Sequence, residues 1–537
     1  MALERWTPRE DYTKQEERLL HRLRKTRKLF AFLRDHRREL FDDAFQAELE
    51  SMYRSTGAGK NPTPPAFLAM VVILQSYLGI SDAEAVDLTV MDLRWQMVLD
   101  RLGAHEPAFA QGTLVDFRER LIRTDMDLRL LERTVELARS TKAFDWKRLP
   151  KTLRVAMDSS PLAGAGRVED TINLLAHAAR KVVLCAADLL GWTAERVARE
   201  AGIPLLLDTS VKRALDIEWS DPEAKAGALD TLVQQLDSLD TWLRKPLAEE
   251  LAKPPLKEHI DTLVQIRTQD LEPDPEGGGG KTRIRDGVAA ERRVSVEDPD
   301  MRHGRKSKSK RFNGFKRHIA TDLDTDLILA CAVTPANRPE EEATPALMAN
   351  IERQGRAVGE MHIDRGYIAS PAVNQVLAAG GQVICKPWVP HNGKLFTKAE
   401  FKINMRDMTI TCPAGEIERI DLGADVEFNP EACARCPLRA KCTTAARGNG
   451  RTVSIADDER LQHKLRKLMS TSSGRERLRE RVAVEHRLAH LGRRQGPRAR
   501  YKGTRKNLFD IRRAAAVQNL ETIDRRLVTG TASRMAA

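Results

Sequence analysis

Aromatic residues are scarce in this chain: Phe, Trp and Tyr make up 5% of 537 residues. That argues against a protein whose main work is stacking bases on exposed rings. Long apolar runs are missing too. No stretch approaches the roughly eighteen unbroken apolar residues of a membrane span. The N-terminus, MALERWTPREDYTKQEERLLHRLRK, carries charge where a secretory signal carries an apolar core. A cytoplasmic protein with no membrane partner is expected. Cysteine is sparse as well, at seven residues. In a reducing compartment the four between positions 412 and 442 read as a metal site or a relic, not as a disulfide framework.

Positive charge is abundant. Lys and Arg number 89 against 77 Asp and Glu, giving a net charge of +12. Such an excess suits a polyanionic partner, and counterion release makes nucleic acid the usual one. The distribution is more telling than the total. Residues 302–317, RHGRKSKSKRFNGFKR, hold eight Lys or Arg and no acid, and residues 475–513 hold fourteen basic against four acidic residues. A fold that joins these two stretches makes one basic surface.

Residues 1–145 read as helical. The apolar run Ala66–Leu74 follows Pro64-Pro65, and proline opens helices. Ala85, Leu88, Met91 and Trp95 recur at helical spacing and predict one helix over Asp82–Leu99. Gly112–Leu121 and Met126–Ala138 continue the pattern. At Leu153 the period becomes two: Leu153, Val155 and Met157 predict a half-buried strand that ends at Asp158, broken by Ser159, Ser160 and Pro161. Asp170 reads as the N-cap of a helical stretch that runs to about Leu271, closed by Pro273, Pro275 and the Gly277–Gly280 linker. Phe315–Thr321 and Leu327–Val333 flank the acids of 322–326, a β-hairpin with a solvated turn. A helix over Glu340–Gln354 follows, then a strand, Met361 to Asp364, a helix over Pro371–Ala379 and a strand at Val383–Cys385. Hairpin strands beside helix-linked strands imply a mixed α/β sheet with helices on its faces.

Asp158 and Asp364 occupy matching places. Each follows an apolar strand residue, Met157 or Ile363, points to the opposite face and precedes a chain-breaking segment. If the strands are neighbours the carboxylates stand side by side, and they repel unless a cation joins them; Mg²⁺ suits such oxygens. Glu485 is the third candidate. A helix over Arg475–Leu491 puts it in an apolar stripe with Leu478, Val482 and Ala489, where it needs a metal or a partner such as Arg481. Taken singly, a strand-end Asp is usually a turn former and a stripe Glu an ion pair; the repeated geometry in a basic chain is what joins the three.

At this point the chain resembles the bacterial DDE insertion-sequence transposases, in particular the group called IS-eleven-eighty-two. The likeness lies in VAMDSSPLAGAGRVEDT, in the block from DPDMRHGRKSKSKRFNGFKRH to NRPEEEA, in GEMHIDRGYIAS and in RERVAVEHRLAHLGRRQGPRARYKGTRKNLFDIRRAAAVQNL. NPTPPAFLAMVVILQSYLGISDAEAVDLTVMDLRW resembles the family's helical N-terminal domain. The glutamate helix of this family carries Tyr, Arg, Glu and Lys at set spacings. Here Arg481 and Glu485 match, while Leu478 and Gly492 stand at the Tyr and Lys positions.

The resemblance implies an RNase H-like mixed sheet with flanking helices. It implies Asp158, Asp364 and Glu485 as the catalytic triad, two Mg²⁺ (or Mn²⁺) ions, and double-stranded DNA as partner: the element's terminal inverted repeats and a target, gripped by a homodimer or larger assembly at the nucleoid. The expected organisation is an N-terminal helical DNA-binding domain (1–145), a first catalytic strand (150–170), a helical insertion with its linker (171–280), the hairpin and second aspartate strand (281–390), a Cys-containing insert (391–460), and the Glu helix with a basic C-terminal segment (461–525). Lys316, Arg317, Arg481, Arg493, Arg494, Arg500 and Lys502 are the expected DNA contacts. Cys412, Cys433, Cys436 and Cys442, with their single CxxC, suit tetrahedral zinc; the alternative is a Cys-rich loop without metal. The activity expected is DNA end cleavage and joining; a nuclease that only cuts, or a regulator without chemistry, are the alternatives.

Overall fold

Alternation over Leu153, Val155 and Met157 does produce a strand, but that strand does not stop at Asp158. In the computed structural model, which describes residues 4–25, 28–53, 62–208, 210–275, 281–307, 309–446 and 448–535, β1 runs from Leu153 to Ala163 and carries Asp158 at its middle. Pro161 does not break it, because the strand is unpartnered on one side there. Ala163 N donates to Pro497 O (3.0 Å), away from the neighbouring antiparallel strand. By the two-residue period the ring of Pro161 faces that same side, so no ladder bond is lost. The linker expected at Gly277–Gly280 lies outside the described residues.

Five more strands complete the sheet: β2 (Arg302–Arg305), β3 (Arg311–Asp322), β4 (Ile328–Pro335), β5 (Val358–His362) and β6 (Gln382–Ile384). The order is β2–β3–β1–β5–β6, with β4 pairing the same edge of β3 as β2 does. β1 is antiparallel to β3 and parallel to β5, and β6 is parallel to β5. An antiparallel hairpin joined to helix-linked parallel strands is the RNase H-like arrangement that the resemblance implied. The hairpin turn is not solvated as expected: Asp322 is buried and accepts from the Thr325 hydroxyl, Asp324 pairs with Arg154, and Asp326 pairs with Arg487 and Arg526. Asp324 and Asp326 thus satisfy arginines from elsewhere in the fold.

Both faces of the sheet are covered. Val155, Met157 and Ala320 point into a core shared with Leu347, Ile351, Val373 and the N-terminal helices, so residues 1–145 pack directly onto the sheet. Ala156 and Ile319 point the other way, against Val484, Leu488, Leu491, Ile511 and Ala515. Two-sided cover is why Ala156 is buried where a half-buried strand had been expected. The helix Thr504–Met535 closes the β4 edge: the Asn519 amide donates to Ile328 O and accepts from Ile328 N.

Two expected helices are each split in two. Asp82–Leu99 becomes Asp82–Met91 and Leu93–Val98, because the Asp92 carboxylate accepts from Arg94 N and Trp95 N and starts a new helix. Met91, counted in the apolar stripe, is 79% exposed. Arg475–Leu491 likewise becomes Ser472–Glu480 and Val482–Gln495, with the break at Arg481. Helices between Thr171 and Asp270 form a separate core through Leu174, Val182, Leu232, Leu239 and Ile266, opened by Asp170, which caps Asn173 N as expected. The Cys-containing insert has a small core of its own: Phe401, Ile410, Ile420, Val426, Phe428, Val453 and Ile455. Among the described residues no single helix is long and apolar enough to cross a membrane.

Candidate active site

Three elements converge on a cleft of about 800 Å³ lined by Asp158, Asp364 and Glu485. β1 presents Asp158 on the face that carries Ala156, directly opposite Ile319 of β3. β5, parallel neighbour of β1, ends at His362, and Asp364 follows two residues later. There its carboxylate accepts from Arg365 N (2.8 Å) and caps a short 3-10 turn. Asp364 therefore sits just beyond the strand end, and Asp158 within a strand.

Glu485 arrives on the helix Val482–Gln495, but not inside a buried stripe as expected. The buried face of that helix is Val484, Leu488, Leu491 and Gln495; Val482 is exposed, and the Glu485 side chain is 49% exposed. Glu485 lies beside the buried face, on the stripe Arg481, Glu485, Ala489 and Gly492 that faces the cleft. It is thus an accessible acid held by a well-packed helix.

Arg481 links two of the three acids. Its Nη1 donates to Asp158 Oδ2 at 3.0 Å and its Nη2 to Glu485 Oε1 at 2.7 Å. Burial raises the Asp158 carboxyl to about 6, and the charges of Glu485 and Asp364 push the same way; Arg481 and the Ser159 N–H oppose them. Asp158 thus senses both other carboxylates, and the single cation beside it, Arg481, does not outweigh its burial. The three are not clustered tightly: among the described residues, the one set of three ligand atoms all within 4.8 Å of one another is Glu360, His362 and Glu480. That set is tied up by arginines, since Glu360 pairs with Arg154, Arg477 and His362, and Glu480 with Arg154. We read it as an ion-pair network that fastens Glu480, at the end of one helix, to β1 and β5.

A fourth acid in the cleft escaped the sequence reading. Glu340 accepts from the Ser159 hydroxyl at 2.5 Å and lies against Gly366, where a Cβ would stand 2.3 Å from Glu340 Oε2. The run Glu340-Glu341-Glu342 read as a helix start, and nothing local distinguishes the first glutamate. Behind it the buried Tyr367 hydroxyl lies 2.8 Å from His318 Nδ1, and His318 Nε2 lies 2.9 Å from Thr334 Oγ1.

The basic residues divide. Lys316, Arg317, Arg481 and Arg493 line the cleft. Arg494 binds Tyr77 O and Glu521, Arg500 binds Gly79 O, and Lys502 pairs with Glu297, all away from the carboxylates. The 475–513 stretch is therefore not one exposed surface; Arg512 and Arg513 are buried in pairs with Asp127 and Asp510. Cys412, Cys433, Cys436 and Cys442 are half-buried, are joined in no disulfide and line one cavity of about 330 Å³ in the insert.

Chemically, the cleft suits a divalent cation. Hard carboxylate oxygens from three elements face one space, and burial together with mutual repulsion lifts Asp158, a penalty that a cation between them relieves. Residues 288–520 match the family model described as the Transposase DDE domain, and residues 19–120 match that described as Transposase domain (DUF772). The first match contains Asp364 and Glu485 and begins after Asp158. No curated protein and no solved structure matches the chain.

Proposed function

We propose, from the premise that this chain belongs to the bacterial DDE insertion-sequence transposases, that it cuts the ends of a DNA element and joins the freed 3′-hydroxyls to target DNA. The observation that carries the proposal is the convergence of Asp158, Asp364 and Glu485 on one cleft rimmed by Lys316, Arg317, Arg481 and Arg493. The family uses divalent metal, and we assign Asp158, Asp364 and Glu485 as the ligands of two Mg²⁺ (or Mn²⁺) ions. When bound, the metal supplies activation of the attacking oxygen and stabilisation of the leaving one.

The chain's own residues supply the rest. Asp158 is mostly ionised at neutral pH, although burial lifts it to about 6. Arg481 reaches Asp158 and Glu485 and, with a metal in place, is free to turn to a phosphate, its fork matching phosphate oxygens. Glu340 holds the Ser159 hydroxyl next to Asp158 and keeps that rim of the cleft fixed. Water attacks the end phosphodiester, whose P–O3′ bond breaks to leave a 3′-hydroxyl on the element and a 5′-phosphate on the flank. That hydroxyl then attacks a target phosphodiester in the same cleft, whose own 3′-oxygen leaves as a hydroxyl, so no covalent protein intermediate is required.

We further propose the domain division given above, zinc in the cysteine insert, a homodimer or larger assembly that pairs two ends, and work at the nucleoid. The deciding experiment incubates the protein with the terminal repeats flanking its gene, target plasmid and Mg²⁺, with Asp364→Asn as control. Joined product made by the wild type and not by the variant is expected. Cleaved ends that are never joined support a nuclease. End cleavage by Asp158→Ala at the wild-type rate would remove the enzymatic reading and leave a DNA-binding regulator.

A further inference from the structure

Arg317 is a buried cation without a carboxylate. Its side chain comes off β3 opposite Ser160 of β1, on the same sheet face as Asp158, and the residue is only 6% exposed. Several buried arginines have acids, Arg34 with Glu16, Arg512 with Asp127 and Arg513 with Asp510, whereas Arg293, away from the cleft, spends its guanidinium on neutral acceptors. Arg317 donates through Nε to Ser160 Oγ (2.7 Å), and through Nη1 to Gln495 Oε1 (2.9 Å) and Gly496 O (3.2 Å). All three acceptors are neutral. They fix the plane of the guanidinium and leave Nη2 with no hydrogen bond among the described residues.

The free edge faces the cleft helix at its narrowest side chain. A Cβ built on Gly492 would stand 2.9 Å from Arg317 Nη2, closer than real contacts permit. Gly492 follows Glu485 and Ala489 on the same stripe, and both Gly492 and Arg317 line the cleft. A helix-interior glycine is normally unfavourable; here it makes room for the guanidinium. Burial pushes Arg317 down to about 10, opposed by the charge of Asp510, which is itself paired with Arg513, so Arg317 keeps its charge at neutral pH. A charge held in place, desolvated and unpaired, is a site for an anion.

We infer that Arg317, admitted by Gly492, is a fixed phosphate-binding site of the cleft and takes one backbone phosphate of the bound DNA strand beside the Asp158–Glu485 pair. The inference rests on the transposase reading and deepens it. Arg317 reaches the phosphate from the sheet, whereas Arg481 and Arg493 reach it from the helix, so the strand is held between two walls.

The test measures binding of a short duplex of arbitrary sequence to the full chain in EDTA, across a salt series, where no metal chemistry occurs. Each phosphate contact contributes about one unit to the slope of log K against log salt. Arg317→Gln is expected to lower that slope by about one and weaken binding about tenfold at moderate salt. Arg317→Lys keeps most of the slope. Gly492→Ala, which leaves every partner of Arg317 in place and displaces only the guanidinium, weakens binding as Arg317→Gln does. If Arg317→Gln fails to fold by thermal melting, Gly492→Ala decides. A wild-type slope in the folded Arg317→Gln, or in Gly492→Ala where that is the deciding variant, overturns the assignment and leaves the transposase reading intact. A wild-type protein that binds no duplex overturns both.

Discussion

Arg481 stands between Asp158 and Glu485 and donates to both, at 3.0 and 2.7 Å. The guanidinium thus takes the place between two carboxylates that a divalent ion is proposed to fill. Arg481→Gln is expected to bind Mn²⁺ about tenfold more tightly, because an exchange of cations becomes a simple filling, while DNA cleavage slows through loss of a phosphate contact. Titration followed by electron paramagnetic resonance reads the first effect. Unchanged or weaker Mn²⁺ binding would show that Arg481 does not compete for the site.

Glu480 and Arg154 form the second relationship. Arg154 lies four residues before Asp158 on β1, and Glu480 closes the helix that precedes the break at Arg481. With Glu360 and Arg477 they tie the helix that leads into the glutamate helix to both aspartate strands. Glu480→Gln is expected to lower the cleavage rate about tenfold with little change in DNA affinity, since a small displacement of Glu485 spoils alignment. Equal losses in rate and affinity would argue against a positioning role.

His318 sets an acid limit on stability. Burial holds its imidazole down at about 3, between the Tyr367 hydroxyl and Thr334. The folded value lies below the ordinary 6.5, so the unfolded chain binds the extra proton. Stability present above pH 6.5 is therefore lost as pH falls towards 3, with a slope of up to about 1.4 kcal/mol per pH unit. Melting temperatures of His318→Gln should fall less steeply with acid over that window. A parallel curve would mean that other groups dominate.

The cysteine insert gives a prediction about metal. Seven buried apolar residues form its core, and Cys412, Cys433 and Cys442 pack at the edge. We expect about one zinc per chain and, after chelation or in Cys433→Ser, rapid proteolysis within residues 391–460 while the rest of the chain stays protected. Protein purified with well under one zinc per chain, and an insert that resists protease regardless, would leave a cysteine loop without metal.

The sequence by itself determined the local chemistry: the two-residue period at Leu153, the hairpin around Asp322, the cap at Asp170, Asp158 on an apolar strand and Asp364 at the exit of another. Those signals are written in neighbouring residues, where strand period and capping act. Tertiary structure decided what depends on distant neighbours. Pro161 stays within β1 because no strand lies on that side, and Glu485 sits beside a buried stripe because the sheet selects Val484 and Leu488 as the packing face. Glu340 reaches Ser159 across 181 residues of sequence, and Arg317 owes its unpaired charge to three acceptors brought from β1 and the far end of the glutamate helix. Packing and desolvation are properties of the space a side chain enters, and the order of residues along the chain does not contain that space.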